Sequence, residues 1–403
     1  MEVYQSNFMS STATNTLESP VETSQVNYLP LILLCLGHFF IDLYSSALGA
    51  FQPLLLLKHN MNLSQAGILG GALVFSASLA QPLYGYLSDR YRNKMFSCLA
   101  PAVAGVFICA LGLAPSYGYL LLAVVFGGVG IASFHPQGSA WATIGIVQNK
   151  QRWFAVFISS GTLGYALGPT FFAYFLPKIG MQQSLWLAIP GILITIFLMA
   201  SLVPPSYEGV AKHKFEWQPL WEVRRTLFLL YMLVFIRSIV QVTYGQMLPL
   251  YLTKERGFSY GEATATLSLY LAAGALGGFI GGNLADRWGG RKVILLSMAL
   301  CVVPLAVFFL TTGWISVASL TLAGLILLFT IPVNVVMAQQ LAPSQSGVIS
   351  ALMMGFAWGL AGLIFIPLTG WFGDHYSLGT AMAALAAFPI IGAVLAWMLP
   401  KEC

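Results

Sequence analysis

The sequence predicts an all-α membrane protein of twelve transmembrane helices, arranged as two six-helix halves. Three observations predict it. Only 8% of the 403 residues are charged and 58% are hydrophobic, whereas soluble domains carry about 25% charged residues. So little polar surface cannot cover a soluble core, but helices in lipid satisfy their backbone internally. Twelve stretches are apolar enough, and at about 20 residues long enough, to cross a bilayer. Finally, the phrase Gly85-Tyr86-Leu87-Ser88-Asp89-Arg90 returns as Gly282-Asn283-Leu284-Ala285-Asp286-Arg287, each copy ending one apolar stretch and preceding the next.

Residues 1–27 are polar and lack the basic start and short apolar core of a signal peptide, so they read as a disordered cytoplasmic tail. The N-terminal half, 28–203, holds spans at 28–57, 64–88, 95–114, 117–147, 153–176 and 185–203. The stretch 204–225 is the one long polar connection, with Pro204-Pro205, Lys212, Lys214, Arg224 and Arg225, and reads as a cytoplasmic linker. The C-terminal half, 226–399, holds spans at 226–252, 262–285, 293–312, 315–340, 347–372 and 378–399, and 400–403 forms a cytoplasmic end.

Orientation follows from the 18 Lys and Arg. Arg237 falls inside a span, and Lys58, Lys178, Lys254 and Arg256 fall on one side. All the others fall on the opposite side, which the positive-inside rule makes cytoplasmic. Both termini then face the cytoplasm of a cell with the chain in its inner (plasma) membrane, and the number of spans is even. The duplication runs beyond the charged phrase: Pro53-Leu54-Leu55-Leu56-Leu57-Lys58 parallels Pro249-Leu250-Tyr251-Leu252-Thr253-Lys254 at nearly the same distance from its aspartate. A repeated six-helix unit is a transporter architecture.

Two formally charged side chains lie well inside the spans, Asp42 and Arg237, in corresponding helices of the two halves. A charge at the bilayer centre costs at least about 2.5–3.5 kcal/mol, so such residues are functional candidates. Two readings are open: Asp42 exchanges a proton while Arg237 holds an anionic substrate, or the two form a permanent pair that locks the halves. His38 lies four residues before Asp42, on the same helix face, and an unperturbed imidazole titrates near neutrality. It either relays a proton or merely hydrogen-bonds its neighbour. His135-Pro136 interrupts the fourth span, where the freed carbonyl is tolerable beside a cavity. His135 and Gln137 are therefore candidates for substrate contact, against the reading of a structural kink. Arg237, Gln241 and Tyr244 form a stripe at helical spacing, and Asp42, Ser45, Gly49 and Gln52 form a similar one. Asn334 adds a polar position in the tenth span. Such a lining suits a small amphipathic or anionic organic molecule.

At the repeated phrase the chain resembles a major facilitator superfamily transporter, whose loop motif reads Gly-x-Leu-Ala-Asp-Arg-x-Gly-Arg-Lys. The second copy matches closely, with one inserted glycine at Gly289-Gly290; the first has Arg92 and Asn93 where Gly and Arg are usual. The resemblance implies that Asp89, Arg90, Asp286 and Arg287 form a gate at the cytoplasmic mouth, with Arg152 and the start of the eleventh span near Ser346-Gly347 as partners; solvated loop charges that serve only topology are the alternative. More narrowly, Gly37-His38-x-x-x-Asp42, Gly130-Ile131-Ala132-Ser133-Phe134-His135-Pro136 and Gly161-x-x-Gly164-x-x-x-Gly168-Pro169 are similar to the fosmidomycin-resistance group of bacterial efflux carriers. Members often carry Glu where this chain has Gln137. Gly164, Gly168 and Pro169 resemble part of an antiporter motif, with Thr170-Phe171-Phe172 replacing its usual ending; close helix packing is the equal alternative.

Other chemistry is not indicated. There is no phosphate loop, no metal-ligand spacing of His and Cys, and no nucleophile beside a base. The basic residues sit in short loops and not in a nucleic-acid patch. The chain is thus expected to be no enzyme and to need no cofactor. The expected partners are a small-molecule substrate, protons and membrane lipid, with a monomer sufficient. The expectation is proton-coupled export by alternating access. Proton-coupled uptake is the runner-up, and a lipid flippase or non-transporting sensor on the same fold is the reading from another class.

Overall fold

A computed structural model describes residues 27–91, 93–144, 146, 149–203 and 216–400, apart from the side chains of Asp89 and Gln151. The expected tail and most of the linker lie outside the described residues, as do Arg92 and Lys401. The described residues are helical, with no strand among them.

Eleven helices are long and apolar enough to cross a membrane: α1 (Leu29–His59), α2 (Leu63–Ser88), α3 (Met95–Gly112), α4 (Tyr117–Trp141), α6 (Met181–Ser201), α7 (Arg224–Glu255), α8 (Tyr260–Trp288), α9 (Gly290–Leu310), α10 (Gly313–Leu341), α11 (Pro343–His375) and α12 (Leu378–Trp397). The twelfth, α5 (Lys150–Ile179), has 30 residues, ample to span. Its Gly, Ser, Thr and Tyr content makes it less apolar than the others. The largest departure from the expected boundaries is at α4, which ends at Trp141 and not at 147, because the chain turns through Ala142–Ile144. Six helices are interrupted: α1 at Ser46, α2 at Ala80, α9 at Cys301, α10 at Leu328 and Phe329, α12 at Ala386 and Ala387, and α11 by a π-helical segment, Ala351–Phe356.

The repeated basic residues have a local job in both halves. Lys94 Nζ donates to the carbonyls of Met199 and Leu202, 2.5 and 2.9 Å away, at the end of α6. Arg291 donates to the carbonyls of Ala396 and Trp397 at the end of α12. The opposite rim repeats the device: Lys58 reaches Gly112 and Ala114 at the end of α3, and Arg256 reaches Phe308 and Thr311 at the end of α9. A cation there satisfies carbonyls that have no helical partner and complements the helix dipole. So each half ties its helices with cations at both rims, a job beyond the orientation that the positive-inside rule assigns to such charges.

The halves meet where α2 packs on α11, α5 on α8, and the second part of α1 on α7. At the rim away from the repeated phrase, Asp374 of α11 accepts hydrogen bonds from Leu63 N, Ser64 N and Ser64 Oγ at 2.8, 2.8 and 2.5 Å. That carboxylate caps the N-terminus of α2 across the two halves. Nearby the backbones touch: a Cβ on Gly67 would lie 2.6 Å from the Ile366 carbonyl, and one on Gly49 would lie 2.6 Å from that of Gly245. Thr170 donates its Oγ to Ser268 Oγ at 2.7 Å across α5 and α8. These hydrogen bonds between the halves lie in this part of the bundle. Towards the basic rim the α2–α11 seam loosens, with Gly355 facing Ser78 and Gly347 meeting nothing within 4 Å.

Candidate functional site

The chemistry gathers on α1, between α4 and α5. Asp42 holds the centre. His38 Nε2 lies 3.4 Å from its Oδ2, and His135 Nε2 lies 3.5 Å from its Oδ1. The two carboxylate oxygens are thus divided between two imidazoles. His38 is fixed by its other nitrogen, since Nδ1 is 2.8 Å from the Phe157 carbonyl. A carbonyl can only accept, so Nδ1 carries the hydrogen, and in the neutral ring Nε2 presents its lone pair to Asp42. The ring also stacks on Phe157, centroids 4.4 Å apart, and meets His135 edge-on at 5.3 Å. Asp42 keeps 17% of its side chain exposed and His135 keeps 25%, while His38 keeps 7%.

The site exists because α5 comes close. A Cβ on Gly161 would collide with His38 and lie 2.6 Å from Asp42 Oδ2. Further along, Gly164 sits on the Phe39 carbonyl, and Gly168 sits on Ser46 and the Leu43 carbonyl. The stripe is what lets two backbones approach. Gly164, Gly168 and neighbouring Pro169 therefore lie in the α1–α5 contact within one half. This is the packing alternative of the sequence reading.

Arg237 does not pair with Asp42. Among the described residues no carboxylate lies against it. It is 4% exposed, donates to Gln241 Oε1, and stands 5.5 Å from the Trp358 ring centre. Its Nε has no partner. The permanent-lock reading therefore fails in this conformation, and a buried cation is held by an amide and an aromatic face. Asn334 lies on the part of α10 that packs against α7 and α8. Both atoms of its amide are buried without a partner, as is the Tyr270 hydroxyl. Unpaired buried polar atoms are rare and costly.

Two sequence candidates are engaged in packing contacts in this conformation. Gln137 is 1% exposed. Its Oε1 accepts from Ser97 N and Ser97 Oγ at 3.0 and 2.7 Å, and its Nε2 donates to the Asn93 carbonyl and to Ser88 Oγ at 2.7 and 3.3 Å. Every bonding position of the amide is used to hold the 88–97 turn, leaving none for substrate. Tyr244 is fully buried and donates to the Met382 carbonyl at 2.9 Å, tying α7 to α12. Gly49 and Gln52 likewise serve packing, with Gln52 Nε2 donating to the Ala66 carbonyl at 3.1 Å.

The expected gate is spread along the basic rim. Arg90, Arg152, Asp286 and Arg287 are exposed, and among the described residues none forms an ion pair. The side chain of Asp89 lies outside the described residues. Residues the sequence did not single out are Phe157, Trp358, Tyr270 and Tyr165. Tyr165 lies on α5. It also stands near the α7 backbone at Gly245. Aromatic residues in an apolar span carry no periodic signal, so only packing could reveal them. The sequence likewise gave no metal-ligand spacing, yet His38, Asp42 and His135 bring three ligand atoms within 4.8 Å of one another.

A family profile described as Major Facilitator Superfamily matches residues 34–366 and again 227–402. The chain is 30% identical to the uncharacterized MFS-type transporter YfnC of Bacillus subtilis (strain 168), covering 93% of each chain. It is 27% identical to the fosmidomycin resistance protein of Escherichia coli (strain K12), covering 91% of each. In structure it resembles a bacterial homologue of the human lysosomal transporter Spinster, in an inward-facing and unoccupied conformation. That likeness has a TM-score of 0.78 at 16% identity and covers 92% of this chain and 96% of that one.

Proposed function

The chain belongs to the Major Facilitator Superfamily, and from that premise we propose that it exports a small anionic organic molecule in exchange for protons. It is a multi-pass membrane transporter and not an enzyme. The observation that carries the finer reading is the separation of Asp42 from Arg237. Asp42, between two imidazoles and partly open to solvent, is built to take up and release a cation. Arg237, with no carboxylate against it among the described residues, is left to meet an anion. A guanidinium buried beside Trp358 and Gln241 suits a carboxylate or related oxyanion joined to an apolar body. The unpaired amide of Asn334 supplies further bonding capacity in the same half.

In this reading the basic rim faces the cytoplasm, both termini lie there, and the membrane is the bacterial inner membrane. The opposite rim is shut by Asp374 and the glycine contacts, so the described conformation receives solute from the cytoplasm. Asp42 then loads a proton from outside in the alternate conformation and releases it inside. Direction is set by which species binds Arg237 while Asp42 is protonated. The relative named for fosmidomycin resistance makes fosmidomycin the first compound to test.

The test is transport in proteoliposomes under an imposed pH gradient. Solute movement should track the gradient, and Asp42→Asn should abolish that dependence while the protein still melts as a folded unit. Full coupling in the variant would remove Asp42 from the mechanism. Accumulation of solute with the proton, not against it, would make the chain a symporter.

A further inference from the structure

We propose that His38, Asp42 and His135 form a binding site for one divalent transition-metal ion of the Zn²⁺ class. The inference concerns the residues that the proposed function uses, but the binding it claims is read without any transport.

Three features of the geometry point to an ion. The first is distance. The imidazole nitrogens stand 3.4 and 3.5 Å from the carboxylate oxygens, beyond the usual hydrogen-bond range of about 2.7–3.2 Å. With metal–ligand bonds of about 2.0–2.2 Å, two ligands on one tetrahedral ion stand roughly 3.3–3.6 Å apart. Both spacings fall in that range, and the three ligand atoms lie within 4.8 Å of one another, so a small inward shift of the side chains would bring them onto one cation. The second is the outer support. His38 gives its Nδ1–H to the Phe157 carbonyl at 2.8 Å, which fixes the tautomer and aims the Nε2 lone pair inward, as metal-bound histidines usually require. The third is room. Position 161 is glycine, and a Cβ there would intrude on His38 Nε2 and stand 2.6 Å from Asp42 Oδ2.

The donor set decides the class of ion. Two imidazoles and one carboxylate suit Zn²⁺, Co²⁺ or Ni²⁺, whereas Mg²⁺ and Ca²⁺ prefer all-oxygen shells. Three protein ligands leave a coordination position for water or a solute oxygen, the pattern of open zinc sites. The ion would also link α1 to α4, so its occupancy should slow the rearrangement of the N-terminal half.

The test is equilibrium binding of ZnCl₂ to the purified full-length protein in detergent, followed by calorimetry, with Co²⁺ absorption reporting the geometry. One ion should bind per chain. His135→Ala and Asp42→Asn should each weaken binding by at least about tenfold, since even outer-shell changes cost 10- to 100-fold. His375→Ala, a histidine bonded to its own helix at Trp371, should leave binding unchanged, and MgCl₂ should not bind. His38 is packed against Phe157, so His135→Ala, at a part-exposed side chain, and the near-isosteric Asp42→Asn carry the test, each checked by its melting curve. Lack of saturable Zn²⁺ binding to the wild type, or tenfold-unweakened binding in both variants, would overturn the site. Zinc binding with pH-independent transport would sink the coupling reading and leave this one standing; the reverse result would do the opposite.

Discussion

Asp42 has two imidazoles beside it and, among the described residues, no Lys or Arg against it. Its two oxygens face two imidazoles, and the ring that is more buried is anchored to a backbone carbonyl. This part of the site was legible in the sequence. His38 and Asp42 stand four residues apart, which fixes a shared helix face whatever the helix packs against. His135 announced itself through Pro136, although its partner became visible only when α4 packed beside α1. Gln137 and Tyr244 show where such reasoning stops. Both lie on helices buried on most sides, so polarity and spacing could not say which way each side chain points. Gln137 supplies a test of the difference. Gln137→Ala would strand the Ser97 N–H and the Asn93 carbonyl, each orphan costing about 1–3 kcal/mol. The variant should melt at lower temperature, while the dissociation constant for solute stays as in the wild type. A weakened affinity with an unchanged melting curve would return Gln137 to the substrate site.

Helices in this bundle are finished at their ends by charges from other helices. Lys94 and Arg291 close α6 and α12, and Lys58 and Arg256 close α3 and α9. Glu255 does the same for the start of α12, accepting from Leu378 N and Gly379 N at 2.6 and 2.8 Å. The spans themselves were legible because length and hydropathy dictate them. The caps were not, because a charge at a span end reads as a loop charge until the recipient helix is known. Asp374 is the clearest omission: it lies in the last turn of α11 and serves α2 of the other half. Asp374→Ala removes three hydrogen bonds that cross between the halves. A change of about 1.4 kcal/mol alters a conformational ratio tenfold, and charged hydrogen bonds contribute on that order. The expected outcome is faster hydrogen exchange of the amides near residues 61–66, together with solute transport reduced several-fold. Unchanged exchange would mean that the cap does not hold the rim closed.

At the scale of the whole molecule, the two halves are joined firmly at one rim and loosely at the other. Alternating access requires that this asymmetry reverse during the cycle. The exposed Asp286, Arg287, Arg90 and Arg152 at the loose rim are then the groups available to make the contacts of the alternate state. The contacts of the present state cannot survive a side chain at Gly67. A Cβ there would stand 2.6 Å from the Ile366 carbonyl and 2.9 Å from Pro367 Cα. Both are backbone atoms of α11, so no rotamer change relieves the clash, and α2 and α11 must separate. Gly67→Leu should therefore bias the protein towards the alternate conformation without removing any span from the membrane. Spin labels on Ser116 and Thr312, exposed at the tight rim of either half, should move apart. Labels on Asn149 and Gln340, exposed near the basic rim, should move together. Net transport should fall by more than tenfold, because a carrier held in one state completes no cycle. If both label pairs kept their wild-type distances while the variant stayed folded, the α2–α11 seam would be a passive contact, and the rim it closes would not be a gate.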